Sequence, residues 1–386
     1  MKRVPWCVFP TFLLLSSCGF LLPEFSNPLD PYGKNADTFA IELLNEDSIP
    51  QDLGVSISTP LAAAWTGGEA VVAWVDAAEV RACAVSGEGT SLAGGTSIYA
   101  GTSPAGVRMG GGDGSCALVV EDGGEVWVGV VEVSDGNLQV DAAFQSSGWG
   151  VAGLAAVSEP VWVDQERWVV GYVDGTGDIH LVLLDSSSDP AVVVQDLDLG
   201  PGSGTVVSLS AAGDGTGGGL LVVWDDDGVT ATVIYGISFS LSQDTLELGS
   251  GGGFGATLSG IGALPVAFSE GAGAYLLLST DGSDLQGISV TEDQAEWTKG
   301  WDLPFATGVY GLWGEPDGWG LLYEEAGVLR MARKDLSFTS DKVGSPYPVY
   351  TYTTGVEAAA VSTGEKYLVF YADTDGVTPG TLFVRE

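Results

Sequence analysis

The chain has 386 residues, 45% of them hydrophobic and only 17% charged, with 58 glycines. That balance fits a turn-rich, well-buried all-β chain rather than a disordered one, and no long stretch of helical period stands out. Acids outnumber bases 51 to 13, for a formal net charge of −38. Such a surface excludes a nucleic-acid or anionic-headgroup binder, because phosphates are held mainly by Lys and Arg; solubility is its plainest role.

Residues 1–17 read as an export signal. Lys2 and Arg3 precede a short apolar stretch from Val4 to Leu15, and small residues follow. The stretch is shorter than the roughly 20 apolar residues a spanning helix needs, and Pro5 and Pro10 interrupt it. Leu15-Ser16-Ser17-Cys18 resembles the lipobox of bacterial lipoproteins. The resemblance implies cleavage before Cys18, lipidation of that cysteine, and a cell-envelope address. Gly19 in the next position implies the outer membrane of a Gram-negative host. An ordinary signal peptide with an incidental cysteine is the alternative. Residues 18–37 carry Pro23, Pro28 and Pro31, too closely spaced for a helix, and read as a tether. Residues 38–386 form the folded domain.

That domain is written as one phrase repeated seven times. Trp168-Val-Val-Gly-Tyr-Val-Asp174 is an apolar run closing on an acid, followed by a Gly/Asp turn and a second apolar run, Ile179 to Leu184. The same phrase ends at Asp76, Asp122, Asp226, Asp281, Glu325 and Asp373. Anchors at Trp74, Val120, Tyr172, Trp224, Ser279, Tyr323 and Tyr371 lie 44 to 55 residues apart. All-β units at about this period mark a β-propeller. The resemblance is to that architecture alone, since the WD40, kelch and Asp-box signatures are absent as regular features. We therefore expect seven four-stranded blades.

Each unit opens on a small-residue strand suited to a crowded axis, as in Leu61-Ala-Ala-Ala-Trp65, Gly153-Leu-Ala-Ala-Val157 and Glu357-Ala-Ala-Ala-Val361. The second strand is apolar throughout, as a strand covered on both faces should be. The last unit ends one strand short. Gln51-Asp-Leu-Gly54 resembles Gln195-Asp-Leu-Asp-Leu-Gly200 at the end of the third unit, so a segment within 38–58 is expected to supply the missing outer strand and close the ring.

Candidate sites are sparse. Cys83 and Cys116 remain once Cys7 leaves with the signal and Cys18 is acylated; they form an even pair in a compartment that permits disulfides. A bridge between neighbouring blades would stabilise by roughly 3 to 4 kcal/mol; two buried thiols are the alternative. The acidic turns read first as hairpin chemistry. Asp174 and Asp178 are the best-placed carboxylates for calcium, and the sequence points to no other cofactor. His180, the only histidine, lies inside a strand, where packing is the plain role and general-base chemistry the sharper one. The runs Gly110-Gly-Gly112, Gly217-Gly-Gly219 and Gly251-Gly-Gly253 lack a following Lys-Ser/Thr and are expected as flexible loops, not phosphate cradles. Trp149, Trp313 and Trp319 fall near loops and strand ends, where exposed tryptophan stacks on sugars or anchors an interface; blade packing is the alternative.

No catalytic constellation emerges. The preferred reading is a lipid-anchored, monomeric propeller that binds a protein or glycan. A carboxylate-based glycan hydrolase or lyase at the propeller centre and a calcium-stabilised envelope component remain the alternatives.

Overall fold

The apolar runs are the second strands of seven sheets. A computed structural model describes residues 51–385 except 58, 135, 150, 152–155, 203, 227–231, 256–264, 281–283, 292–296, 305, 336–345, 353–354 and 375–379. The export signal, the tether and Thr38 to Pro50 lie outside the described residues. Among the described residues no helix is long and apolar enough to cross a membrane.

Blade 1 comprises β2 (Leu61–Trp65), β3 (Glu69–Asp76), β4 (Glu79–Ser86) and β5 (Ser91–Ala100). Blade 2 comprises β6 (Pro104–Gly111), β7 (Ser115–Asp122), β8 (Glu125–Ser134) and β9 (Asn137–Ser146). Blade 3 comprises β10 (Val161–Asp164), β11 (Arg167–Val173), β12 (Asp178–Asp185) and β13 (Val192–Pro201). Blade 4 comprises β14 (Thr205–Gly213), β15 (Gly218–Asp226), β16 (Thr232–Ser242) and β17 (Thr245–Gly255). Blade 5 runs through β18 (Val266–Ser269), β19 (Ala274–Thr280), β20 (Asp284–Thr291) and β21 (Trp297–Pro304). Blade 6 runs through β22 (Ala306–Glu315), β23 (Gly318–Glu325), β24 (Val328–Asp335) and β25 (Tyr347–Thr351). Blade 7 takes β26 (Val356–Ser362), β27 (Tyr367–Asp373) and β28 (Gly380–Arg385) from the end of the chain and its outer strand, β1 (Gln51–Ile57), from the front.

This is a seven-bladed β-propeller. The inner strands β2, β6, β10, β14, β18, β22 and β26 touch one another in that order, and β26 meets β2 again. The expected closure is seen where Gln51 pairs with Val384 and Ile57 with Gly380. Pairing the two ends of the chain within one sheet leaves no blade open.

Apolar burial lies in the seams between blades. Successive residues of a strand face opposite sides, so Val71, Ala73 and Val75 fill the seam with blade 2 while Ala70, Val72 and Trp74 fill the seam with blade 7. That division explains why second strands are apolar throughout. Trp74, Trp168, Trp224 and Trp319 are among the largest fully buried side chains.

Two expectations change. The third inner strand, expected at Gly153 to Val157, is β10 at Val161–Asp164; Gly153 to Ala155 lie outside the described residues, and Val157 makes an isolated bridge to Tyr172. The intervening Ser158 donates its amide to the Gly171 carbonyl and its hydroxyl oxygen accepts from the Gly171 amide, in place of a second backbone bond, so the strand bulges at Ser158 to Pro160. The glycine runs are not loops either. Gly110 and Gly111 lie in β6, Gly218 and Gly219 in β15, and Gly251 to Gly253 in β17. A Cβ on Gly110 would collide with the carbonyl of Pro160, just before the next inner strand, so close approach, not flexibility, demands glycine there.

Candidate functional site

The chain passes from the outer strand of one blade to the inner strand of the next. The turns after the second strands and the interblade linkers therefore share one end of the propeller. Three acids at the phrase ends, Asp122, Asp225 and Asp373, hold the arriving strand or linker there. Asp122, buried at the end of β7, accepts hydrogen bonds from Tyr99 Oη (2.7 Å), Thr102 N (2.9 Å), Thr102 Oγ1 (3.1 Å) and Ser103 N (2.6 Å) in the strand and linker arriving from blade 1. Burial opposes its charge, but these donors outweigh burial and hold the carboxyl below its usual range. Asp225 Oδ2 likewise accepts from Gly204 N at 3.0 Å, and Asp373 Oδ2 from Tyr350 Oη at 3.3 Å. At these three blades the recurrent acid has an architectural cause.

Asp174 and Asp178 come together as turn residues. Asp174 Oδ1 accepts from Thr176 N (2.8 Å), Thr176 Oγ1 (2.8 Å) and Asp178 N (2.9 Å), and the Thr176 hydroxyl also lies 3.1 Å from Asp178 Oδ2. Asp214 holds Thr216 and Gly218 in the same way. Among the described residues no three His, Cys, Asp or Glu side chains form a group able to hold a metal ion. His180 packs in a ladder of rings: it stacks on Tyr172 (4.6 Å, 11°), which stacks on Trp149 (4.5 Å, 6°). Its Nδ1 lies 2.9 Å from Asp196 Oδ1 and its Nε2 3.7 Å from Asp174 Oδ2. The imidazole is thus held between two carboxylates.

The tryptophans proposed for ligand stacking are not surface groups. Trp149, Trp313 and Trp319 are 7%, 8% and 1% exposed. Trp149 joins the seam between blades 2 and 3, Trp313 packs beside Tyr367 between blades 6 and 7, and Trp319 lies between blades 5 and 6. The cysteines are also corrected. Cys83 faces the seam between blades 7 and 1, Cys116 the seam between blades 1 and 2, and both are free. The sheet of blade 1 stands between them. Burial pushes both thiols up to about 12.

Ionisable groups that escaped the sequence reading gather on the inner strands. Arg108 in β6 pairs with Glu159 Oε1 at 2.7 Å. Glu159 Oε2 accepts from Ser210 Oγ (2.8 Å) and Ala211 N (3.3 Å) of β14. Arg108 also reaches the Leu209 carbonyl at 3.3 Å, so a blade-2 side chain touches blade 4 across blade 3. Only the axial side of the ring allows that reach. The bulge at Ser158 to Pro160 is what presents Glu159 to both neighbours.

Blades 6 and 7 carry a second group. Tyr310 Oη in β22 lies 3.2 Å from both Glu324 Oε2 and the Val356 carbonyl, and its single proton serves one at a time. Tyr352, in the linker to blade 7, also hydrogen-bonds Glu324. Glu357, at the start of β26, is half-buried, and burial raises its carboxyl pKa. Blades 1 and 5 separate this wall from the Arg108 wall. One wall offers a fixed ion pair, the other phenols and a carboxyl that burial inclines toward its neutral form. Together the two groups present both donors and acceptors.

No protein-family profile matches the chain, and no curated relative matches it. Solved structures match its fold. The SapL1 lectin, solved with α-methyl fucoside, is similar over 77% of this chain and 98% of its own, at 12% identity and a TM-score of 0.50. A 6-phosphogluconolactonase-like protein from Bacteroides fragilis matches over 75% and 84%, at 14% identity and a TM-score of 0.50. A prolyl endopeptidase matches 91% of this chain, which spans about half (49%) of that protein, at 11% identity and a TM-score of 0.49. At these identities the likeness is one of fold.

Proposed function

We propose that this chain is a lipid-anchored protein of the bacterial cell envelope whose propeller binds a glycan at the end of its channel where Tyr310, Glu324, Tyr352 and Glu357 meet. The observation that carries the ligand class is the mixed donor and acceptor set on the two inner walls. Sugar hydroxyls both donate and accept, and phenol, carboxyl and guanidinium groups satisfy them in both senses. The excess of acids disfavours a polyanionic ligand. Anchoring rests on the lipobox ending at Cys18 and on the proline-bearing tether behind it.

Glycan-array screening of the full chain in mild detergent tests the binding reading. The expected result is a selective hit weakened by Glu357→Gln and by Tyr310→Phe. A blank array, or a hit indifferent to both changes, would sink it. Cys18→Ser should move the protein from the membrane to the soluble fraction; a variant that stays membrane-bound overturns the anchor. A second reading, a carboxylate-based glycan hydrolase or lyase, is favoured by one observation, the raised pKa of Glu357, which suits a proton donor. Turnover of an array hit, lost in Glu357→Gln, would select it.

A further inference from the structure

Six large apolar side chains stand exposed among the described residues: Leu92, Val140, Val192, Val193, Val194 and Leu248. All lie on outer strands, and three are consecutive in β13, at 44%, 46% and 51% exposure. Exposed apolar residues scattered singly need no explanation. Three in succession on a sheet edge do. Because neighbouring residues of a regular strand face opposite sides, Val192 and Val193, in register with Asp185 and Leu184, give blade 3 apolar surface on both faces of its edge, and Val194 is the extra residue of the bulge that follows. Strands β3 and β11 share that pattern, and each has a strand on either side of it. Blade 3 is written as though one more strand belonged beside β13.

Other outer strands carry the residues that discourage such pairing. Asp52 stands in β1, Asp141 in β9, Glu247 in β17 and Pro348 in β25; β13 carries its own Asp196, Asp198 and Pro201 only beyond the valines, so the Val192 to Val194 end has no such residue. A bulge between Val193 and Gln195 bends β13 but covers none of the three valines. Both ends of the apolar run are acidic, with exposed Asp189 before it and exposed Asp196 and Asp198 after it. A second copy of this chain would bring acid against acid on molecules of formal charge −38. Charge complementarity selects a different occupant.

We propose that β13 is the docking edge for an extended segment of another protein, with an alternating β-branched run flanked at each end by Lys or Arg. Backbone hydrogen bonds to β13 would give affinity, the valines would be covered on both faces, and Asp189, Asp196 and Asp198 would meet the basic flanks. The surface is separate from the channel, so its test is independent of the glycan reading.

The probe is a labelled short peptide alternating Val and Thr, with two Lys at each end, titrated against the full chain by fluorescence anisotropy. The expected result is saturable binding, weakened about tenfold or more by Val193→Asp and by exchanging the peptide's Lys for Glu. Amide hydrogen exchange should slow across Val192 to Gln195 in the complex. Val193→Thr keeps strand propensity and serves as the folding control, with binding weakened and the melting temperature unchanged. Absent saturable binding, or binding indifferent to Val193→Asp, overturns the proposal. So does a concentration-dependent dimer abolished by Val193→Asp, which would give the edge to a second copy.

Discussion

The polar groups of blades 2 to 4 and of blades 6 and 7 solve one problem in opposite ways. Each brings a glutamate to, or just before, the start of an inner strand. On the wall of blades 2 to 4, Glu159 is compensated by Arg108, a serine hydroxyl and a backbone amide, so its charge is built into the contact between blades. On the wall of blades 6 and 7, burial raises the pKa of Glu357 with no such compensation among its causes. The first arrangement makes a carboxylate structural. The second leaves a carboxyl whose charged form is disfavoured by burial.

The structural use of a carboxylate recurs away from the axis at Asp122, and there the largest effect is expected. Asp122→Ala orphans the Tyr99 hydroxyl and the Thr102 and Ser103 amides at a buried site, at a cost of about 3 kcal/mol. Denaturant titration checks this, and a loss below about 1 kcal/mol would mean that water replaces the carboxylate. The depressed pKa adds a direction. Asp122 contributes stability above its unfolded pKa and loses it as pH falls through the lower folded value, so the gap between wild type and Asp122→Ala should narrow in acid.

Arg108→Ala comes next. Its partner's side chain is 34% exposed, so the loss should fall between that of a surface pair and a buried one, about 2 kcal/mol. Adding Glu159→Gln to Arg108→Ala should recover part of that loss, because the glutamate no longer carries an uncompensated charge. Failure to recover would remove Glu159 from the structural class.

Glu357 should behave in the opposite sense. With its folded pKa raised above the unfolded value, the folded state holds the proton more tightly. Stability therefore falls as pH rises from the unfolded pKa through the folded one. Glu357→Gln should raise the melting temperature at pH 7.5 and make no difference well below pH 4.5, the ordinary value for glutamate. A variant less stable than wild type at neutral pH would place Glu357 with Glu159 and dissolve the contrast between the walls.

The repeats were legible because a strand covered on both faces must be apolar at every position, and seven such runs survive divergence elsewhere. Ring closure was legible through Gln51-Asp-Leu-Gly54, now seen in β1 against β28. The channel groups were not. Arg108 meets Glu159 from 51 residues away and Leu209 from 101, and no local spacing announces such pairs. Glu357 did leave a trace as the one acid heading a run of three alanines, but the alanines explained the strand and hid the acid. Trp149, Trp313 and Trp319 misled for another reason: a tryptophan near a loop reads alike whether its ring faces solvent or closes a seam.

The cysteines give the smallest expected effect and a sharp test of the seam geometry. A bridge would lower the stability of the reduced protein by roughly 3 kcal/mol. The sheet of blade 1 instead sends Cys83 and Cys116 into different seams, so reductant should leave the melting temperature unchanged. Their raised pKa values make both thiols poor nucleophiles at neutral pH. Alkylation of the native protein should therefore spare both sites, while alkylation in denaturant without reductant should label both. If reductant is needed before either residue labels, the two sulfurs share a seam, and the assignment of alternate β3 and β4 residues to opposite seams fails with them.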